Sequence, residues 1–203
     1  LGANDVIDMA FDVTINDGNG GLVTETVTIT INGTNDAPVI TSAAQTGTIT
    51  ETADVLPSGP DTDPVNATGT ISFSDVDLSD DPSAAHDGGT VSDSTLANTY
   101  ALTGDQITAL KAAFSLDNPA LDNFSQTTGT GSTGWTYDVA NADIDYLGED
   151  DSVELKYVVA VSDGKGGGCT RDVVIPIGGT VGSPVLSAAA RGGAGAGGAE
   201  VLP

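Results

Sequence analysis

Apolar and polar residues alternate with a period of two in a stretch near the start of the chain. FDVTI at 11–15 is followed, after a Gly-rich segment, by VTETVTITI at 23–31. Successive side chains of a β-strand point to opposite faces, so this alternation predicts two half-buried strands. The intervening NDGNGG supplies the glycine, Asn and Asp residues typical of a tight turn. The pattern therefore predicts a β-hairpin.

The same pattern returns 146 residues later. At that shift, residues 1–40 align with residues 147–186 without a gap and with many identities. Self-similarity at a fixed distance is typical of repeat proteins. We therefore predict a closing hairpin of a preceding repeat plus its linker at 1–37, then a complete repeat at 38–180. The Ala/Gly-rich tail at 181–203 is predicted to be disordered.

The complete repeat is predicted to contain many short strands and one helix. The strands are expected near residues 47–51, 69–74, 90–102, 124–128 and 134–139. TGDQITALKAAF at 103–114 instead has apolar residues at helical spacing, with Thr103 and Gln106 placed as a capping box. NADIDYLGEDD at 141–151 predicts a short helical turn. Short strands joined by Gly- and Pro-rich turns predict an all-β, immunoglobulin-like Greek-key β-sandwich with one short helix inserted.

The net charge of the chain limits the kinds of molecule that we expect it to bind. The 203 residues include 29 Asp and Glu but only 5 Lys and Arg, for a formal net charge of −24. Such a chain repels nucleic-acid phosphates and anionic membrane surfaces, so we expect neither as a partner. No stretch approaches the roughly 20 apolar residues of a membrane span, which predicts no membrane insertion. The chain would also repel itself unless cations or high salt were present, and this favours a calcium-rich exterior.

Five segments together resemble a known family of tandem modules. They are INGTNDAPVI (31–40), GTITE (47–51), GTISFSDVDLSD (69–80), LTGDQITALKAAFSL (102–116) and GWTYDVANADIDYLGEDDSVELKYVVAVSDGKGG (134–167). In order and spacing they resemble the VCBS repeats, cadherin-like modules of very large bacterial surface adhesins and RTX-type exoproteins. The resemblance covers roughly residues 1–186.

The resemblance implies a role as well as a fold. It implies a calcium-stiffened structural extender module with a cadherin-like sandwich, at the bacterial cell surface or in a secreted adhesin. Its partners would be neighbouring repeats of the same protein, with a host or matrix ligand as a further candidate. An accessory ligand- or glycan-binding module of an adhesin or secreted enzyme is the alternative, and an exposed aromatic cluster beside a groove would favour it.

The expected calcium site lies at one pole of the sandwich. Calcium takes about six to eight oxygen ligands, which must converge from separate loops. Because strands of a sandwich run end to end, the linker, the loop after the second strand and the last hairpin turn share a pole, and the base of the preceding repeat faces them. As at a cadherin junction, acids from these segments would bind the ion. The predicted ligands are Asn4, Asp5, Asn35, Asp36, Asp75, Asp77 and Asp163.

Other acidic residues are expected to be solvated. We predict an acidic rim without linker partners at the opposite pole, formed by Glu51, Glu149, Asp150 and Asp151. A second group is expected in a polar surface loop, namely Asp80, Asp81 and Asp87. The residues aligned with Asn35 and Asp36 are Val181 and Gly182, which offer no side-chain oxygen, so calcium is predicted at the Asn35 pole alone. Asn, Asp and Gly are also ordinary turn residues, so a purely structural role stays open for each ligand taken singly.

Residues that enzymes use are scarce. His86 is the only histidine and is expected in a flexible surface loop, and Cys169 is the only cysteine. Carboxylates two residues apart on one loop do not flank a scissile bond as glycosidase acids do. We therefore predict no catalysis. Trp135 and Tyr137 share one face of a predicted strand and are expected in the core rather than on a sugar-binding surface.

Overall fold

The computed structural model describes residues 1–52, 65–97 and 100–181. The tail predicted at 181–203 therefore lies outside the described residues, apart from Val181. No helix in the described ranges is long and apolar enough to cross a membrane.

Strands dominate the described residues. The elements are, in chain order, β1 (Val6–Asn16), β2 (Leu22–Asn32), β3 (Val39–Ile40), β4 (Gln45–Thr46), β5 (Ile49–Thr50), β6 (Val65–Ser74), β7 (Ser83–His86), β8 (Thr90–Thr95), α1 (Gly104–Ala112), β9 (Phe114–Leu116), β10 (Thr130–Val139), a 3-10 turn (Asn141–Asp143), β11 (Ser152–Ser162) and β12 (Gly168–Gly178).

The complete repeat is a sandwich of two sheets. One sheet has the strand order β3-β6-β10-β9, and the other has the order β4-β12-β11-β7 with β5 beside β12 and β8 beside β11. β3 pairs antiparallel with β6, whereas β4 and β5 pair parallel with β12, so the chain crosses from one sheet to the other at the start of the repeat. This crossing closes the sandwich along one side. The predicted all-β sandwich with one short helix is confirmed.

Aromatic side chains fill the space between the sheets. Trp135 and Tyr137 alternate inward on β10 and are almost fully buried, as predicted. Tyr157 of β11 faces them, and its ring stacks on Phe114 with centroids 4.1 Å apart. The hydroxyls of Tyr137 and Tyr157 both donate to the carbonyl of Leu110 in α1, at 3.1 and 3.2 Å. Buried tyrosine hydroxyls need such partners, and these two attach the helix to the core.

The helix forms where its capping box predicts it. Gln106 N donates to Thr103 Oγ1 at 3.3 Å, and Thr103 N donates to Gln106 Oε1 at 2.9 Å. The helix ends at Ala112, so the helical position predicted for Phe114 is wrong. Phe114 begins β9 and pairs with Tyr137, because its ring is buried between the sheets.

Two other local predictions are wrong, one because of a local turn and one because of pairing with a distant strand. No strand forms at 124–128, where Ser125 Oγ accepts the amides of Thr127 and Thr128 and satisfies the backbone within a turn. His86 does not lie in a loop but ends β7, which pairs with β11. Its ring packs edge-on against Phe114, with centroids 5.1 Å apart. Ser, Ala and His have little strand propensity, so β7 depends on its partner strand.

β1 and β2 stand apart from this sandwich. They pair only with each other, antiparallel, from Val6 opposite Asn32 to Asn16 opposite Leu22. Neither strand contributes a residue to the buried core. The base of this hairpin instead contacts the loop that follows β6, where the candidate site lies.

Candidate metal centre

Three aspartates converge in the loop after β6. One carboxylate oxygen each of Asp75, Asp77 and Asp80 lies within 4.8 Å of the others. We call these three residues the acidic cluster. All three are buried, with exposed fractions of 5%, 1% and 2%. Backbone contacts shape the loop: Asp77 N donates to Asp75 Oδ1 at 3.0 Å, and Asp80 N donates to the Asp77 carbonyl at 3.2 Å.

Several oxygens of the acidic cluster have no partner among the described residues. Asp75 Oδ2 and both carboxylate oxygens of Asp80 are buried without a hydrogen bond. Burial, followed by the charges of neighbouring aspartates, raises the pKa of Asp75 and of Asp80 above the ordinary value. A buried charge without a donor is costly, so this arrangement favours a bound cation or protonation. The geometry thus provides acceptors that the protein itself does not satisfy.

The linker contacts the acidic cluster directly. Asp36 N donates to Asp77 Oδ2 at 2.6 Å, and Asn35 Nδ2 donates to Asp163 Oδ2 at 2.8 Å. Asn35 Oδ1 is also buried without a partner among the described residues. The carboxylate of Asp36 is itself exposed. The linker therefore brings a backbone amide and a free amide oxygen to this pole.

Asp163 lies at the start of the last hairpin turn. Its Oδ1 accepts the amides of Lys165 and Gly167 at 2.7 and 3.0 Å. Although burial alone would raise the pKa of Asp163, the hydrogen bonds from Asn35 and from the turn amides hold it below its ordinary value. Asp163 is thus a fully buried, charged residue whose field acts on Asp75 and Asp80.

The base of the first hairpin closes the remaining side of this pole. Asp5 Oδ2 accepts from Ser79 Oγ at 2.7 Å. Gly2 lies against the cluster so closely that an added Cβ would be 3.0 Å from Asp80 Oδ1. The side chain of Asn4 is exposed, and its role as a ligand stays a prediction. The structure therefore brings Asp5 and the linker to the loop that carries Asp75 and Asp77, as the sequence suggested.

Asp80 belongs to this site although its sequence context predicted otherwise. It was expected in a solvated loop, but it is buried because Gly2 of the preceding hairpin covers it. A third aspartate three residues beyond the Asp75–Asp77 pair, within the same short loop, was the available signal. The cluster therefore has the spacing D-x-D-x-x-D.

The opposite pole differs from its predicted form. Glu51 is buried rather than part of a solvated rim, because its Oε2 accepts both the amide and the hydroxyl of Thr180, at 2.9 and 2.5 Å. Asp151 accepts the amides of Gly148 and Ala97 at 2.9 and 2.5 Å. Glu149 and Asp150 are exposed, as expected. These acids already have protein donors or solvent, unlike the acidic cluster.

Of the comparisons with known proteins, only the one with solved structures found a similarity. No family model matches the chain, and no curated protein matches it. The chain is similar to CfaE, the adhesive subunit of CFA/I fimbria of enterotoxigenic Escherichia coli, with 9% identity and a TM-score of 0.44. The match covers 88% of this chain and 59% of CfaE. A PapD-like domain of human CEP192 has 12% identity, 73% and 87% coverage, and a TM-score of 0.37. Extracellular cadherin domains 1–5 of protocadherin gamma B2 have 13% identity, 84% and 26% coverage, and a TM-score of 0.36. The chain thus spans 59% of the length of the fimbrial adhesin, and these distant likenesses assign no family.

Proposed function

We propose that this chain is a calcium-stiffened structural extender of a bacterial cell-surface or secreted adhesin, built from VCBS-like repeats and without catalytic activity. The observation that carries the proposal is the acidic cluster. Buried, unpartnered oxygens of Asp75 and Asp80 lie where a hairpin, a linker and a complete repeat meet. We call this meeting point the joint, comprising residues 1–5, 33–37 and 75–80.

The donor set suits calcium. Calcium prefers carboxylate, amide and carbonyl oxygens and accepts flexible geometry with about six to eight ligands. The acidic cluster supplies carboxylates, and Asn35 Oδ1 is a buried amide oxygen without a partner among the described residues. The donor set contains neither cysteine nor histidine, so it does not favour zinc or copper. Asp163 adds negative charge beside the cluster.

A cation at this position would stiffen the joint. Without it, repulsion among the buried carboxylates opposes close approach of the segments that carry them. With a cation bound, the acids can all stay charged. The hydrogen bond from Asp36 N to Asp77 and the packing of Gly2 against Asp80 can then form without this repulsion. The ion would therefore hold consecutive repeats in one orientation. A net charge of −24 is consistent with an exterior that contains divalent cations.

Partners and location follow from the same proposal. Neighbouring repeats of the same protein would be the main partners, in an extracellular or cell-surface setting where calcium is abundant. The glycan-binding alternative depended on an exposed aromatic surface. Trp135, Tyr137 and Tyr157 are buried in the core, so none of them can provide it.

Calcium titration calorimetry tests the proposal. We expect the chain to bind calcium with a dissociation constant of about 10⁻⁴–10⁻³ M, as extracellular modules do. Asp75→Asn should weaken binding by about tenfold or more, because it removes a ligand charge from the cluster. Asp150→Asn is the matched control, since it removes the same charge at the opposite pole from an exposed residue. Absence of binding, or equal effects of the two substitutions, would contradict the proposed site.

A further inference from the structure

The β1–β2 hairpin has one apolar face and one polar face. Along both strands, residues with odd numbers share a face, and nine of these ten side chains are apolar, with Glu25 as the exception. The apolar residues are Ile7, Met9, Phe11, Val13, Ile15, Val23, Val27, Ile29 and Ile31. All of them except Met9 are between 41% and 68% exposed. The opposite face is polar, with Thr26 and Thr30 donating to Asp12 and Asp8.

The equivalent hairpin of the complete repeat has the same register but a covered face. In both hairpins the eleven paired positions match one for one after the shift of 146 residues. Of the nine equivalent residues of β11 and β12, Cys169 is partly buried. The other eight are buried with at most 1% exposure: Val153, Leu155, Tyr157, Val159, Val161, Val173, Ile175 and Ile177. Their cover includes Ile71, Trp135 and Tyr137 of the four-stranded sheet and Leu110 of α1. The first hairpin therefore carries the same apolar layer without its cover.

The bases of the two hairpins have the same local conformation. Asn4 and Asp150 occupy equivalent positions and have φ of +70° and +71°, an uncommon conformation for residues other than glycine. The carboxylates of Asp5 and Asp151 each accept the amide of the glycine three residues earlier, at 2.8 and 2.9 Å. The first hairpin thus has the backbone geometry of an assembled repeat.

The turns of the two hairpins also correspond. Asp17 Oδ1 accepts the amides two and four residues later at 2.8 and 2.9 Å, and Asp163 Oδ1 accepts the equivalent amides at 2.7 and 3.0 Å. The glycine after each aspartate has φ of +76°. A partner that fits β11–β12 would therefore meet the same shape on β1–β2.

We propose that the β1–β2 hairpin is a capture surface for the other half of the same repeat fold, the part equivalent to residues 38–146, and that it binds this half even when the half is supplied as a separate polypeptide. The partner would cover the apolar face with a four-stranded sheet. It would also supply edge strands, since β11 pairs with β7 and β8 and β12 pairs with β4 and β5. The outer edges of β1 and β2 have no strand neighbours in the described residues, so their backbone groups are available.

A second copy of the hairpin fits this surface less well. Two strands of eleven residues present a face of about 36 by 10 Å, or about 350 Å² in projection, against about 800 Å² per partner in a standard interface. Face-to-face pairing would leave the strand edges unpaired as well. The half-sandwich satisfies both the face and the edges.

Mixing the full chain with a polypeptide of residues 38–146 tests this inference. The inference rests on the repeat organisation proposed above but not on calcium, so the mixture is kept in EDTA. If no complex forms while the chain binds calcium normally, the capture surface is overturned and the proposed calcium site is not. We expect a 1:1 complex by light scattering after gel filtration, with slowed hydrogen exchange along β1 and β2.

Matched variants of the full chain locate the contact. Ile29→Asp places a charge on the apolar face and should weaken the complex by about 100-fold or more. Thr24→Asp places the same charge on the polar face, at the position equivalent to the exposed Thr170, and should change affinity by less than about threefold. Equal effects of the two variants, or protection that appears on β11–β12 while β1–β2 stays unprotected, would overturn the proposal.

A single extended chain tests the same inference if the separate 38–146 polypeptide aggregates. Residues 38–146 are placed directly before Leu1, because position 146 precedes the residue that aligns with Leu1. We expect a second cooperative unfolding transition in EDTA and slow exchange in β1–β2, both lost with Ile29→Asp and kept with Thr24→Asp. A fast-exchanging hairpin in this extended chain would overturn the proposal even if the mixture gave no soluble complex.

Discussion

Asp80 shows how one side chain acquires its properties from a segment far away in sequence. Its carboxylate is buried by the base of the first hairpin, and neither of its oxygens has a donor among the described residues. Burial and the charges of Asp75, Asp77 and Asp163 raise its pKa. The charge of Asp80 is thus unfavourable unless a cation is bound beside it.

Replacement of Asp80 should therefore act in opposite directions with and without calcium. Asp80→Asn removes a buried, repelled charge, so the melting temperature in EDTA should rise by a few degrees, corresponding to roughly 1 kcal/mol. The same change removes a ligand, so calcium should stabilise the variant less than the parent chain. Scanning calorimetry in EDTA and in millimolar calcium measures both effects. Asp81→Asn, at the exposed neighbouring residue, should change neither, and a loss of stability of Asp80→Asn in EDTA would contradict this account.

The pH dependence of stability should also change sign within the acidic range. Asp75 and Asp80 have pKa values above the ordinary 3.8, so the folded state binds protons that the unfolded state does not. Their charging costs stability as pH rises through the raised pKa values, and the calcium-free protein should gain stability as pH falls from 7 towards them. Asp163, whose pKa is lowered, contributes stability that is lost below 3.8.

Melting curves from pH 3 to 8 check this expectation. In EDTA the melting temperature should pass through a maximum at mildly acidic pH. In calcium the rise on acidification should disappear, because protons and the cation compete for the same oxygens. A melting temperature in EDTA that falls steadily from pH 7 downwards would show that lowered pKa values dominate.

At the scale of elements, the contact between the first hairpin and the loop after β6 depends on a glycine. A Cβ on Gly2 would lie 3.0 Å from Asp80 Oδ1 and 3.1 Å from Ser79 Oγ. The equivalent Gly148 has only Asp151 Oδ2 nearby, at 3.4 Å, which is an ordinary contact. The chain therefore contains a matched pair of positions, one inside the joint and one outside it.

Gly2→Ala should loosen the joint, whereas Gly148→Ala should not. The added methyl group requires the side chains of Asp80, Ser79 and Asp77 to move by a few tenths of an ångström, so we expect calcium affinity to fall several-fold and hydrogen exchange at residues 1–5 to accelerate. The stability of the sandwich in EDTA should stay within about 0.5 kcal/mol of the parent chain, because the core is untouched. If Gly148→Ala reduced calcium affinity as much as Gly2→Ala, the contact between Gly2 and Asp80 would not matter for the site.

At the scale of the whole molecule, a self-contained sandwich carries an additional hairpin through an acidic joint. All residues of the buried core lie between Ile40 and Ile177. The hairpin is attached through polar contacts such as Ser79 with Asp5, and such surface contacts add little to stability without a cation. Calcium would therefore determine orientation more than folding.

Removal of residues 1–34 tests whether the sandwich folds independently of the first hairpin. The chain from Asn35 onwards should unfold in EDTA within a few degrees of the full chain, since it keeps the whole core. Its stabilisation by calcium should be smaller, because Asp5 and Gly2 no longer close the cluster. Small-angle scattering of the full chain should show a narrower range of shapes in calcium than in EDTA. A large loss of stability in EDTA would show that the hairpin belongs to the folding unit.

Local sequence by itself determined the hairpins, the helix and much of the core. The alternation around Phe11 and Ile29, the cap of Thr103 with Gln106, and the shared face of Trp135 and Tyr137 each depend on residues near in sequence. The same holds for Asp75 and Asp77, whose spacing of two residues predicts side chains that point the same way, whereas their role as calcium ligands was predicted from the resemblance to a known family. Period, turn chemistry and capping act over a few residues, so they can be recognised without the fold.

Only the tertiary structure decided which polar groups are buried and which weak strands form. Asp80 and Glu51 are buried because distant segments, at Gly2 and Thr180, cover or bond them. β7 exists because β11 offers it a partner, and Phe114 leaves the helix because a pocket between the sheets accepts its ring. Burial and strand pairing depend on contacts between residues far apart along the chain, and no local pattern specifies which distant segment will make them.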